Sequence, residues 1–163
     1  MSKIKVGIIG YGYWGTNLVR NFFNTGNCDL HVVADGRPER LAALGRVFPG
    51  IKQVKAADEI INDNETDAVV IATPVFTHYE LAKRALLNGT HVLIEKPMTS
   101  SVKEAEELIE LASQKGLTLM VDHTFLYTGA VHKMKSLLED QTIGLPQYFD
   151  STRINLGLFQ SDI

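Results

Sequence analysis

The fold of this chain is decided by residues 4–15, which read IKVGIIGYGYWG. Ile4–Ile9 is a short run rich in β-branched residues, as is typical of a strand buried on both faces of a parallel sheet. After it come three glycines in the spacing G-x-G-x-x-G. Gly10 would allow the tight turn, Gly12 would let the backbone approach a pyrophosphate, and Gly15 would let the next helix pack closely. The stretch therefore predicts a dinucleotide-binding loop at the amino end of a helix.

An acidic residue stands where this kind of loop requires it. Asp35 follows the second predicted strand, about 20 residues after Gly15, and its carboxylate is expected to accept the ribose hydroxyls of the cofactor. A carboxylate there would repel a 2′-phosphate, so the sequence favours NAD and leaves NADP open. Arg37 could lie over the adenine, soften the discrimination against a phosphate, or face solvent. Tyr13 and Trp14, inside the glycine loop, complete the predicted contacts on this side.

Strands and helices alternate along most of the chain. Short apolar segments separated by helical patterns predict an α/β fold, a Rossmann-type doubly wound parallel sheet with helices on both faces. Local signals set the helix ends, with Asp58 expected as an N-cap and a capping box at Ser101–Glu104. The six predicted strands comprise residues 4–9, 30–34, 52–55, 68–72, 91–94 and 117–121.

The rhythm changes near residue 124. We assign residues 1–124 to a Rossmann NAD(P)-binding domain and residues 125–163 to a connecting helix and the first strand of a second α/β domain. That strand is predicted at residues 147–156, where no neighbour in the sequence could cover it. The expectation is that the chain stops early in a substrate and oligomerisation domain.

A second candidate group follows the fourth predicted strand, where the sequence reads Ala72-Thr73-Pro74. Ligands of open parallel sheets bind at this edge. Pro74 would keep Thr73 extended and shape a turn beside the cofactor. His78 would fall in the first turn of the next helix, where the helix dipole disfavours a cation, so a neutral imidazole is expected there. A pocket wall or helix cap is favoured over a catalytic base, and all four residues are counted as cofactor contacts.

The third group, Glu95-Lys96-Pro97, ends the fifth predicted strand at the same edge of the sheet. Hydride transfer needs a cationic or proton-donating group near the reacting oxygen, which stabilises charge as the hydride moves. Lys96 suits this role if the strand order brings it beside the nicotinamide, whereas a strand-terminal Lys-Pro alone is more often ordinary surface. We therefore predict Lys96 as a catalytic residue, and all three residues, Glu95, Lys96 and Pro97, as cofactor contacts.

Three motifs together, GIIGYGYWG, ATPVFTH and HVLIEKPM, resemble the amino-terminal half of the Gfo/Idh/MocA oxidoreductases, the glucose–fructose oxidoreductase and inositol dehydrogenase family. The resemblance covers essentially the whole chain. It implies a Rossmann domain followed by an α/β domain with an open antiparallel sheet that binds substrate and forms homodimers or homotetramers. It also implies that Lys96 is catalytic and touches substrate, and that the substrates are sugars, polyols or nucleotide sugars.

The resemblance extends into the tail. The segment 119–130, LMVDHTFLYTGA, is similar to the part of these proteins that closes the cofactor domain. Residues 152–157 are similar to the nucleotide-sugar branch, which includes UDP-N-acetylglucosamine-type dehydrogenases. His123 is a candidate substrate contact facing the nicotinamide, or equally a partly buried histidine at a strand end.

Composition narrows the partners and the setting. The formal net charge of −3, without a basic run, argues against a nucleic-acid binder. The single cysteine, Cys28, can form no internal disulfide and has no partner for a metal site, and no metal is predicted. No apolar stretch suits a membrane span and the amino terminus lacks a signal pattern, so a cytoplasmic location is expected.

Two classes of function remain to be compared. In the first, the intact protein exchanges a hydride between a nicotinamide cofactor and a sugar-type hydroxyl or ketone, and this cofactor-binding part is inactive alone. In the second, a stand-alone domain senses NAD(H) and regulates a partner. A sensor has no need of Glu95-Lys96-Pro97 at the ligand edge, which favours the enzyme.

Overall fold

The alternating segments form one parallel six-stranded sheet in the computed structural model, which describes residues 3–142, 144–152, 154 and 157. The order across the sheet is β3-β2-β1-β4-β5-β6, and all neighbouring strands run parallel. This is the predicted Rossmann-type fold. The strands are β1 (Ile4–Ile9), β2 (Cys28–Ala34), β3 (Lys52–Val54), β4 (Ala68–Ile71), β5 (His91–Ile94) and β6 (Leu119–Val121).

Helices cover both faces of the sheet. Alternate residues of one strand enter different apolar clusters, since Ile9 packs in one and Ile8 in the other. This two-sided burial explains why the strands read as continuous apolar runs. The helices of this part are α1 (Gly15–Asn24), α2 (Pro38–Val47), α3 (Asp58–Ile61), α4 (His78–Leu87) and α5 (Val102–Lys115), with a 3₁₀ turn at Val75–Thr77.

The strand order reverses direction between β1 and β4, which lie side by side although two strands separate them in sequence. Open α/β sheets bind ligands in the crevice beyond the carboxyl ends of the strands at such a switch point. The glycine loop leaves β1 at this point, and the loops that follow β2, β4, β5 and β6 leave the same edge. The fold therefore assigns the candidate residues of these loops to one edge.

Helix ends follow the local signals with one exception. The predicted capping box of α5 is present, with the Ser101 hydroxyl and the Glu104 carboxylate both bonded to backbone N–H groups. Asp58 as the N-cap of α3 is wrong, because it lies inside the helix and pairs with Arg84. A cap at Asp58 would accept from the N–H of Ile60 or Ile61, but both of these donate to the carbonyl oxygen of Ala57 at 3.0 Å. The carboxylate of Glu59 accepts from two N–H groups just before the helix.

The chain divides into two compact units, Met1–Asp122 and His123–Ile163. The second unit contains a 3₁₀ turn, Thr124–Tyr127, and helix α6, Gly129–Glu139. The predicted strand at 147–156 is wrong for its described residues, 147–152 and 154, which have no ladder partner. A strand pattern needs a second backbone to bond with, and this segment finds none there. Residues 153, 155 and 156 lie outside the described part of the chain.

Within the described residues, no helix has the length and apolar character that crossing a membrane requires.

Candidate functional site

The glycine loop after β1 is shaped by close backbone approaches. Gly10 has a φ of +102° and donates its N–H to the carbonyl oxygen of Ala34 at 2.8 Å. A Cβ at Gly10 would lie 2.5 Å from the carbonyl oxygen of Ala72, and one at Gly15 would lie 2.1 Å from that of Gly10. Both contacts are too short for any side chain, so these two glycines are required by the fold itself.

Gly12 differs from its two neighbours in the loop. A Cβ there would meet only the Arg37 Nη2 atom, at 3.6 Å, which is an ordinary contact. Among the described residues, no side chain caps the amino end of α1, which begins directly after Trp14. Exposed amide groups at a helix start attract an anion, and a bare glycine lets the anion come close. The loop therefore has the space and the amide groups that the pyrophosphate of a dinucleotide cofactor needs.

The aromatic residues of the loop lie outside the core. Tyr13 and Trp14 are both exposed, and their rings stack with centroids 6.1 Å apart. Tyr11, two residues earlier, is buried. The loop thus turns one aromatic ring into the protein and offers two others to a ligand or to solvent.

Asp35 is buried at the end of β2, and its carboxylate is already fully engaged. One oxygen accepts from Arg37 N at 2.9 Å and Arg37 Nε at 3.1 Å; the other accepts from Tyr11 N at 2.8 Å and Arg37 Nη2 at 3.3 Å. Burial by itself raises the pKa of Asp35, but the bonds from Arg37 and Tyr11 outweigh it and hold the pKa below its ordinary value. A ribose diol that bonds Asp35 would therefore compete with the Arg37 side chain.

His78 connects the loops that follow β4 and β5. Its side chain is 1% exposed, with Nε2 2.7 Å from the carbonyl oxygen of Thr73 and Nδ1 2.9 Å from that of Pro97. A carbonyl oxygen can only accept, so a neutral ring, which has a single N–H, satisfies one of the two at a time. Thr73 also shares a 2.6 Å hydrogen bond with the hydroxyl of Thr77. The imidazole is thus buried between two loops, with neither nitrogen facing a cleft.

Lys96 is exposed two residues after the end of β5, and its peptide bond to Pro97 is cis. Its own N–H donates to the Glu95 carboxylate at 3.0 Å. Glu95 is buried, and burial raises its pKa to about 7, with repulsion from Asp122 adding to the effect. The Lys96 side chain therefore extends into solvent, while the buried Glu95 carboxylate holds the Lys96 backbone in place through its N–H.

The predicted site residues of the first unit are located at the carboxyl edge of the sheet, on the loops or, for Gly15 and His78, at the first residue of a helix. His123 is exposed and belongs to the second unit, which begins after Asp122. Three residues that support the site were not singled out from the sequence: Tyr11, Thr77 and Asp122. Asp122 follows β6 as Asp35 follows β2, so the rule that strand-terminal acids line this edge could have found it.

Residues 4–123 match the oxidoreductase family with an NAD-binding Rossmann fold, GFO_IDH_MocA. The match covers most of the chain, and the chain belongs to this family. The fold and the glycine loop define a Rossmann domain that binds a nicotinamide dinucleotide. The family match agrees with the family that the three sequence motifs imply.

Individual relatives carry the comparison further. The chain is 31% identical to a UDP-N-acetylglucosamine 3-dehydrogenase from Acidithiobacillus ferrooxidans, over 94% of this chain and 46% of the relative. It is 31% identical to a scyllo-inositol 2-dehydrogenase (NADP(+)) from Bacillus subtilis, over 88% and 39%. A 3-ketoreductase from Actinomadura kijaniata, solved with NADP and TDP-benzene, superposes with a TM-score of 0.78 at 28% identity, over 85% and 43%. The chain therefore spans less than half the length of these relatives.

Proposed function

We propose that this chain is the cofactor-binding part of an NAD(P)-dependent oxidoreductase that transfers a hydride to or from a sugar, polyol or nucleotide sugar. One observation carries the proposal. A glycine loop that fits a pyrophosphate leaves β1, and an exposed lysine leaves β5, two strands away on the same edge of the sheet. Two strand spacings are about 10 Å, so a dinucleotide laid along this edge can reach from the one to the other.

Each part of the edge has a proposed role. The glycine loop, with Gly10, Gly12 and Gly15, holds the pyrophosphate, and Asp35 with Arg37 meets the adenine-side ribose. The remaining proposed cofactor contacts are Tyr13, Trp14, Ala72, Thr73, Pro74, His78, Glu95, Lys96 and Pro97. His78 would act by holding Thr73 and Pro97 in place, because its own nitrogens are buried.

Lys96 is the proposed catalytic residue. The nicotinamide ring, when bound, accepts or returns the hydride. Beside it, the Lys96 ammonium would bond the reacting oxygen of the substrate and stabilise the charge that develops there. His123 remains a proposed substrate contact.

The substrate class rests on the relatives. Those named above act on an inositol or on a UDP-linked sugar, or were solved with a TDP-linked ligand. We extend this class to the present chain, together with a domain boundary near residue 124, a substrate-binding part that begins with residues 125–163, and assembly as a homodimer or homotetramer.

Direct cofactor binding tests the proposal. Titration of the chain with NADH, followed by calorimetry or by nicotinamide fluorescence, should give a Kd between about 1 μM and 1 mM. Gly12→Ala should weaken it about tenfold or more, because the new methyl group would occupy the space that the pyrophosphate needs. The thermal midpoint should stay unchanged, since that methyl group has no close protein neighbour. Gly26→Ala, at a position open to solvent, is the matched control. No binding of NADH or NADPH by the parent chain would refute the proposal.

Asp35 provides the test of cofactor choice. Asp35→Asn keeps an oxygen for the N–H of Tyr11 but removes the charge that opposes a 2′-phosphate. The ratio of NADP to NAD affinity should therefore rise about tenfold. Asp29→Asn, an exposed aspartate at the other end of β2, should leave the ratio unchanged. An equal change in both affinities for Asp35→Asn would remove Asp35 from the discrimination.

A further inference from the structure

Among the described residues, no donor faces one buried carboxylate oxygen of Glu95. The side chain is 6% exposed, and Oε2 accepts the N–H of Lys96, while the fully buried Oε1 has no hydrogen bond among the described residues. An ionised carboxylate oxygen left without a donor in a buried position costs free energy. A protonated Oε1 avoids that cost if an acceptor lies beside it, because it then becomes a donor.

Asp122 is the acidic neighbour placed to supply that acceptor, since its charge and its side-chain hydrogen bond both contribute to the raised pKa of Glu95. In the parallel register Ile94 of β5 lies beside Val121 of β6, so the two residues that follow, Glu95 and Asp122, leave the sheet side by side. The N–H of Asp122 donates to the carbonyl oxygen of Ile94 at 2.8 Å, which fixes its backbone at this level. Two carboxyl groups held together in a partly desolvated place do not both ionise readily, as repulsion favours one shared proton.

We propose that Glu95 and Asp122 form a carboxyl–carboxylate pair that holds a single proton between them, and that this pair sets the charge next to Lys96. The proton resides on Glu95 Oε1 and is donated to the Asp122 carboxylate. The pairing itself follows from the strand register and from the burial of Glu95. Its importance for the cofactor edge rests on the proposed function.

The charges around the pair define its effect. Lys96 adjoins Glu95 in sequence and opposes the rise of its pKa, while burial and Asp122 cause that rise. His78, from the start of α4, approaches through the carbonyl oxygen of Pro97. With one proton the pair carries −1, which balances the ammonium of Lys96. Without it the pair carries −2, and the edge that would receive an anionic cofactor gains a negative charge.

Titration of the carboxyl carbons measures the proton directly. In uniformly ¹³C-labelled protein, the Glu95 side-chain carbon should titrate with a midpoint near 7, in line with its raised pKa. In Asp122→Asn the midpoint should fall by about one pH unit or more, because the repelling charge is gone. A midpoint for Glu95 at the ordinary glutamate value would overturn the proposal, and so would a raised midpoint that Asp122→Asn leaves unmoved. Neither of these titrations requires a cofactor, so they test the shared proton even if the proposed function is wrong.

Stability against pH gives an independent reading. The pKa of Glu95 is raised in the folded chain, so its stabilising contribution is present below the pKa of the unfolded chain, near 4.5, and is lost as pH rises through about 7. The thermal midpoint should therefore fall by roughly 5 °C between pH 5 and pH 8 through this group. Glu95→Gln should abolish that fall, whereas Glu106→Gln, on the exposed face of α5, should retain it. Parallel pH curves for Glu95→Gln and the parent chain would contradict the proposal.

Cofactor affinity tests the second half of the proposal. The Kd for NADH should rise about twofold to threefold between pH 6 and pH 8.5 in the parent chain, as the pair gains a negative charge, and should change less in Asp122→Asn. A Kd that is the same at both pH values in the parent chain would remove the pair from the cofactor edge.

Discussion

Gly15→Ala is expected to destabilise the protein by about 3 kcal/mol or more and to lower its thermal midpoint by roughly 10 °C. The reason is that the new Cβ would lie 2.1 Å from the carbonyl oxygen of Gly10, an atom of the backbone that no side-chain rotation can move away. Relief would require the start of α1 to withdraw from β1, which opens the packing of Leu18 and Val19 against the sheet. Thermal or urea unfolding followed by circular dichroism measures the loss.

The matched control is Gly12→Ala in the same loop, whose methyl group would touch only the side chain of Arg37. Its thermal midpoint should equal that of the parent chain, while its NADH affinity falls about tenfold or more. Comparing the two variants separates the glycine that folding requires from the glycine that ligand binding requires. Equal midpoints for Gly15→Ala and Gly12→Ala would show that the loop relaxes more easily than its contacts indicate.

Under the proposed function, Lys96→Ala is expected to lower turnover about 10²- to 10⁴-fold in a full-length enzyme that carries this domain, which corresponds to about 3–5 kcal/mol of transition-state stabilisation. The side chain is exposed, and the fold at this point is held by the buried Glu95 carboxylate and by His78. The variant should therefore fold normally and bind NADH with nearly the parent affinity. The measurement is the rate of NADH formation or consumption with inositols, hexoses and nucleotide sugars, at saturating cofactor.

Lys103→Ala controls for the loss of an exposed lysine nearby, in the first turn of α5. Its turnover should stay within about twofold of the parent value, since it does not follow a strand at the ligand edge. Turnover of Lys96→Ala within threefold of the parent would exclude the catalytic role, whereas a large parallel loss of NADH affinity would assign Lys96 to cofactor binding instead.

Local signals in the sequence were sufficient for much of the fold. The capping box at Ser101–Glu104 depends on two side chains within one turn, and the glycine loop on residues within one connection, so both could be read without tertiary contacts. Asp58 shows the limit of this reasoning, because the amides it would cap donate to the carbonyl oxygen of Ala57 and its carboxylate pairs with Arg84 of another helix. The described part of 147–156 was predicted as a strand from composition, although a strand forms only where a partner backbone is present.

Contacts between loops were harder to predict. The proximity of Glu95 and Asp122 depends on β6 lying beside β5, and the contact of His78 with Pro97 depends on β5 lying beside β4. Strand order is a property of the assembled sheet rather than of any segment. The engagement of Asp35 by Arg37 was similarly out of reach, since the sequence left that arginine with three interpretations.

The position of His78 has a consequence for how such a site can diverge. Both of its contacts are with main-chain carbonyl oxygens, those of Thr73 and Pro97, and every amino acid carries that group. The side chains of the two loops can therefore be exchanged for others without removing the acceptors that the imidazole needs. His78 can thus hold the two loops at the same distance whichever side chains they carry. The loops can then change the ligand they contact without a change in backbone position.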